Sequence, residues 1–403
     1  MAVEYIAGVQ NTGIIFTDEK KVEVPNKLFW LRPSATPFLH LTGGMGMKHL
    51  AQKTIGNMEF KVFEKKPHAE WGAINFAAGY AAGDTSLVLD DVSHISPGWV
   101  LEVVKTGEHL LVSSRNTSTN TIVVVRSVGP TAAAAIGDND ALLKVGTAHE
   151  EFGGYPTIVM VKNSSRTNYA QFFRKPYGLS DIAKNTVMYT GPKEPELSQE
   201  AMYSMKLDVE KALLLGEPFY GATSGPDGTP LWTTGGALYW IVNGGGVVTT
   251  ATPSYTRVQF NRLVSSNFDE GSDTKIGIFG PNIIDAIEYY KDQKLEFRQS
   301  EEFFNLRVAE WENSSGRLVI MRDRILKNSP VGDTTQGHAG TGFILDMESW
   351  WQNIFNNIGN IAMYPDIVKD GKSGKIHELR AIVGLGVESP EKSGAVLDFT
   401  TFN

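Results

Sequence analysis

The stretch Glu194–Gly216, EPELSQEAMYSMKLDVEKALLLG, decides how the rest of the chain is read. Met202, Met205, Val209, Ala212 and Leu213 recur at helical spacing and make one apolar stripe. Glu200, Lys206, Asp208, Glu210 and Lys211 fall largely off that stripe, with Lys206 and Glu210 four apart as neighbours. The pattern predicts one long amphipathic helix over 195–216, capped by Ser198 and ended by Gly216. By itself such a helix is an ordinary element packed on a sheet. Its company gives it meaning.

Just before it, YPTIVMVKN (155–163) predicts a strand. RTNYAQFFRKPYGLSD (166–181) interleaves Tyr169, Phe172, Phe173 and Tyr177 with Arg174 and Lys175. That interleaving can mark single-stranded nucleic acid binding. A formal net charge of −8 favours a packed strand with snorkelling Arg and Lys stems. Further upstream, residues 78–146 hold five short apolar runs separated by Gly, Asn, Asp, Ser and Thr, the spacing of a small antiparallel barrel or sandwich with Trp99 in its core. This unit interrupts a hairpin: NMEFKVFE (57–64) alternates as a strand wet on one face and leads in, and 147–154 leads back. Residues 1–45 have three prolines and the apolar Leu28, Phe29, Trp30, Leu31, Phe38, Leu39 and Leu41, but no core of their own. They predict an extended arm with a short helical turn, lying on another surface.

After the helix, 221–253 is Gly- and Thr-rich and predicts a long loop with some strand content. Residues 254–268 predict a helix capped by Ser254. KIGIF (275–279) is a buried strand turned by Gly280-Pro281-Asn282 into a second helix. Residues 303–322 predict two strands joined at Asn313–Gly316, FILD (343–346) another strand, and ESWWQNIF leads into a short helix. The long strand 376–388 precedes a tail.

The bulk numbers narrow the function. At 403 residues and 41% hydrophobic content, two or three structural units with real cores are expected. The acidic balance argues against a protein that grips DNA or an anionic membrane through a broad basic face. The absence of cysteine excludes disulfides, thiolate nucleophiles and Cys-based zinc sites. The N-terminus lacks the pattern of a signal peptide, and no run approaches the roughly 20 apolar residues of a membrane span. The eight histidines lack metal-ligand spacing, and there is no GxSxG elbow. GKSGK (371–375) lacks the remainder of a phosphate loop, and GHAGTG (337–342) has the wrong spacing for a dinucleotide loop. No catalytic, cofactor-binding or metal-ligating residue emerges, and an enzyme is the minority reading.

The order of pieces resembles the major capsid proteins of tailed bacteriophages with the Hong Kong 97 (HK97-like) fold, in the branch whose extended loop carries an extra β domain. The resemblance rests on SATPFLHLTGGMG, the β insertion with GDTSLVLDD and GWVLEVVKTGEHLLVSS, NYAQFFRKP with the helix after it, and the late strands EWENSSGRLVIM and FILD. It covers nearly the whole chain, matching weakly over 221–253 and after Glu388. It implies an α+β subunit with an N-terminal arm (1–45), an extended-loop hairpin (46–77 and 147–154) and a β-barrel-like insertion (78–146). A peripheral domain (155–253 and 366–403) would carry the spine helix 195–216, and an axial domain would span 254–365. It implies no enzyme activity and no cofactor. The function implied is self-assembly of hexamers and pentamers into an icosahedral head shell around double-stranded DNA. The location implied is the virion capsid, after assembly in the host cytoplasm. Leu28, Phe29, Trp30, Leu31, Phe38, Phe60, Trp71 and Arg174 become candidates for contact between subunits. A portal protein, a separate scaffolding protein and a decoration protein are the implied partners, with no membrane. The scaffold is expected to be separate because the arm begins almost at Met1, where many relatives carry a cleaved helical segment. The lysine–asparagine crosslink of the founding member has no matched residues here. Two alternatives are an encapsulin-like compartment of the same fold and a secreted β-rich hydrolase or adhesin.

Overall fold

Lys193–Leu215 is one 23-residue helix. It starts earlier than expected, and Ser198 lies inside it rather than capping it. Pro195 is tolerated because first-turn N–H groups have no intrahelical acceptor, and Glu194 and Glu196 suit the positive end of the helix dipole. The structure, a computed structural model, describes residues 36–41, 52–151, 154, 159–186, 192–250, 256–291, 308–331, 333, 336–355, 362–364 and 374–399. The architecture is α+β, and the chain divides into two compact units: Phe63–Arg166, and Met1–Val62 with Thr167–Asn403.

In the larger unit, the spine helix lies on a mixed sheet. Its strand order is Gln52–Ile55, Trp350–Phe355, Lys375–Val387 and Gln171–Leu179, with Ala362–Tyr364 also pairing with the long strand. Gln52–Ile55 pairs parallel with Trp350–Phe355, and the other pairings are antiparallel. Met205, Val209 and Leu213 of the helix pack with Phe173, Leu379, Ala381 and Val383 of the sheet. Gln171–Leu179 is an edge strand, and that is why it tolerates Pro176.

A second sheet runs Val247–Thr250, Gly394–Leu397, Gly342–Leu345, Thr274–Phe279, Gly316–Arg322, Val308–Asn313. Helices Arg257–Asn267 and Pro281–Lys291 pack on it through Phe260, Leu263, Ile283 and Ile287, with Trp311 edge-on to Phe260. Thr256 and Gln259 form a reciprocal capping box on the first of these helices. The expected cap, Ser254, lies outside the described residues.

WWQNIF is a strand, Trp350–Phe355, held between two partner strands after one 3₁₀ turn. The stretch after Val387 supplies Gly394–Leu397 to the second sheet instead of forming a tail. The described part of YPTIVMVKN, 159–163, has no strand; pairing begins at Ser164. The Gly-rich 221–253 contains a hairpin strand, a helix (Ala237–Gly244) that buries Ala237, Trp240 and Ile241, and the strand Val247–Thr250. Its glycines permit close approach: a Cβ on Gly236 would sit 2.7 Å from the Gly216 backbone nitrogen.

The smaller unit is a six-stranded sheet ordered Trp71–Ala73, Ala141–Thr147, Trp99–Val103, Glu108–Asn116, Thr121–Val125, Ser86–Val88. An Ile74–Leu89 bridge joins the first strand's end to the last, closing it as a barrel. Leu87, Trp99, Leu101, Leu110, Ile122 and Leu142 fill its interior. Glu108, fully buried, takes a bidentate Arg126 contact at 2.7 and 2.8 Å and the N–H groups of Ser127 and Ala134, which pins the loop between them. The barrel recruits Trp71–Ala73 and Ala141–Thr147, so it exceeds the expected 78–146 on both sides. The partner of the lead-in strand Glu59–Glu64 is Ser164–Tyr169, not 147–154. Of the residues expected to return, Thr147 ends the barrel strand Ala141–Thr147 and Ala148 N–H donates to Gly98 O at 2.7 Å. In the larger unit, the second sheet likewise takes strands from both sides of the expected 254–365 segment.

Candidate assembly surfaces

The short helical turn expected in the arm is present as Pro37–Leu41. Its backbone N–H groups at Phe38 and Leu39 donate to Glu210 of the spine helix, at 2.7 and 2.5 Å. Phe38 and Leu39 then bury themselves in the core beneath, each worth roughly 1.5–3 kcal/mol. Phe38 is thus fully buried in the core of its own chain. Leu28, Phe29, Trp30 and Leu31 lie outside the described residues.

Glu210 was expected on the wet side of the helix, beside Lys206. It is fully buried instead. Burial, then the nearby Asp323 carboxylate, push it well above the usual carboxylate range, against the pull of the two N–H donors. Asp323 is also buried, and burial raises it to about 6. Its Oδ1 accepts from Ile325 N–H at 2.8 Å, while Oδ2 has no partner among the described residues. The spacing to Leu214, four residues on, was the one available hint that Glu210 turns inward.

Arg174 pairs across the sheet with Arg380, a like-charge juxtaposition. Glu378 resolves it by accepting from Arg174 Nε and, at 2.7 Å, from Arg380 Nε. The Arg174 hydrogen bond, aided by Arg380, holds Glu378 below its ordinary range against burial. Arg380 stacks over Tyr364 at 4.3 Å. Arg174 keeps 57% of its side chain exposed, but its charge is already engaged within the chain.

Phe60 is half-buried on the inward side of Glu59–Glu64, with Met58 and Val62, as alternation predicts. Trp71, at 56% exposure, stands on the outside of the barrel unit. Among the described residues, no group of three or more His, Asp or Glu is placed to hold a metal ion. No described helix is long and apolar enough to cross a membrane.

The aromatic hairpin Phe219–Gly221 with Leu231–Thr233 carries a surface that sequence reading missed. Tyr220 stacks on Trp232 at 5.5 Å and lies 6.1 Å from Tyr169. Its signal was present as FY and LW flanking a turn-rich stretch, and the surrounding glycines obscured it.

One family profile, described as SU10 major capsid protein, matches residues 8–400. A major capsid protein of Pseudomonas phage PaMx41 is 26% identical over 255 residues, covering 60% of this chain. That match spans 59% of the phage protein, so this chain spans about three fifths of the length of the curated relative it matches. Among solved structures, that of Mycobacterium phage Cain is similar with a TM-score of 0.46 and 10% identity, covering 98% of this chain and 100% of the other. The holo-SrpI encapsulin complex from Synechococcus elongatus PCC 7942 gives a TM-score of 0.42 and 12% identity, covering 60% and 80%.

Proposed function

This chain belongs to the SU10 major capsid protein family, and from that membership we propose that it is the subunit of a tailed-phage head shell. The observation that carries this reading is the family match, which extends over 8–400 without leaving either unit unaccounted for. Copies associate into hexamers and pentamers that close into an icosahedral shell around double-stranded DNA. Contacts that close by rotation make rings, and curved rings make a shell. The role is structural, in the virion capsid, with assembly in the host cytoplasm.

Within an HK97-like subunit, the sheet under the spine helix serves as the peripheral domain and the second sheet as the axial domain. The paired strands Glu59–Glu64 and Ser164–Tyr169 form the stem of the extended loop, with Phe60 on its inward side and Trp71 in the unit it carries. The arm before Thr36, with Leu28, Phe29, Trp30 and Leu31, straps a neighbouring subunit. The anchoring of Pro37–Leu41 on Glu210 supports this, because it fixes the root against which a strap can pull. A portal protein, a scaffolding protein, a decoration protein and the packaged genome are the partners of such a shell.

The test is electron microscopy of the purified protein with size-exclusion chromatography. Closed megadalton shells are expected, and particles from infected cells should contain genome-length DNA. A stable monomer would overturn the reading, and particles filled with a cargo enzyme would replace it with an encapsulin-like compartment.

A further inference from the structure

We propose that the hairpin Phe219–Gly221/Leu231–Thr233 is the docking surface for residues 27–32 of a neighbouring copy of this chain. This rests on the shell reading above and names the surface that the strap grips. Phe219, Tyr220 and Leu231 are 47%, 48% and 41% exposed, an unusual concentration of apolar surface for a two-stranded ribbon standing in water. Strand pairing sends Tyr220 and Trp232 to one face and Phe219 and Leu231 to the other, so both faces offer apolar area. The ribbon is also held in place. Thr233 Oγ1 donates to Glu217 O at 2.7 Å, and Gly236 N–H donates to Gly216 O at 2.8 Å, tying its base to the end of the spine helix. Ordering such a platform in advance lowers the entropy lost on binding.

Charge selects the occupant. Residues 217–233 carry Glu217 and Asp227 and no Lys or Arg. That disfavours a nucleic acid strand, which needs basic residues along its backbone in addition to stacking rings. It suits a short apolar run flanked by positive charge, and Lys27-Leu28-Phe29-Trp30-Leu31-Arg32 has that pattern. Trp30 lies six residues before Thr36, whose following turn is fixed on Glu210. At about 3.4 Å per extended residue, it reaches roughly 20 Å from that root.

The chain has no cysteine, so introduced thiols report without background. Full-length Asn26→Cys chains are co-assembled with Thr229→Cys chains and treated with a short bismaleimide. These positions flank the contact without removing its rings. Shells are verified first by electron microscopy. The expected result is a covalent dimer holding one chain of each kind, identified by mass spectrometry. Adding Trp30→Ala to the Asn26→Cys chain should cut its yield at least tenfold, with the subunit's melting curve unchanged. Shells without the mixed dimer overturn the docking and leave the shell reading standing. A double variant that crosslinks only within one chain overturns the assignment to a neighbour. Failure to form any closed particle overturns the shell reading and this proposal with it.

Discussion

Glu210 and Asp323 are two buried carboxylates whose proton affinities are both raised, so the folded chain holds protons there that the unfolded chain releases. Linkage fixes the sign: their favourable contribution is complete below the ordinary carboxylate range and is lost as pH rises through about 6 and beyond. With each pKa unit worth about 1.4 kcal/mol, raising Asp323 from 3.8 to about 6 costs the folded state about 3 kcal/mol at pH 8. Asp323→Asn keeps an acceptor for Ile325 N–H and removes the charge beside Glu210. It should melt higher than the wild type at pH 8, with the difference shrinking towards pH 4. Thermal melts across that range measure it, and a constant difference would refute the titration. Carboxylates held low by partners, such as Glu108 and Glu378, are common to both proteins and cancel in the comparison. In the barrel, Trp99 is 6% exposed, with Lys144 Nζ 3.9 Å over its ring. Trp99→Ala should cost about 3–5 kcal/mol, read by denaturant unfolding followed through the barrel's backbone signal.

Elements with a single, strong period were legible in the sequence, and those decided by their neighbours were not. The spine helix, the alternating strand at Glu59–Glu64 and the long strand Lys375–Val387 carry their own patterns. Trp350–Phe355 reads locally as either state and becomes a strand because Lys375–Val387 and Gln52–Ile55 pair on its two sides. Glu210 failed for the same reason. Its helix position fits a surface pair with Lys206, and only the arm arriving from 171 residues away explains its burial. The glycines of 234–246 read as looseness but serve contact. Gly236 abuts the end of the spine helix, with Leu214 C and Gly216 N 2.8 and 2.7 Å from where its Cβ would be. Gly236→Ala should therefore destabilise the larger unit by about 1–3 kcal/mol through overpacking, seen as a lower denaturation midpoint with an unchanged slope. If flexibility were its role, the same change would stabilise the fold.

At the scale of the whole molecule, the described chain divides its apolar surface unequally. Phe38 and Leu39 complete the core of their own subunit, so an arm deletion that removes them tests folding and assembly at once. Removing residues 1–45 would open a cavity against Met205 and Val209 and leave the Glu210 carboxylate without its two N–H donors. Breaking such a buried contact destabilises by several kcal/mol. The informative cut stops at residue 35. A chain beginning at Thr36 keeps Pro37–Leu41 on the spine helix and loses Leu28, Phe29, Trp30 and Leu31. Its melting temperature should match that of the full chain within a degree or two, and size-exclusion chromatography should show free subunits or single rings in place of closed shells. Closed shells from this truncated chain would refute the strap, and a lowered melting temperature would mean that the removed residues belong to the subunit's own fold.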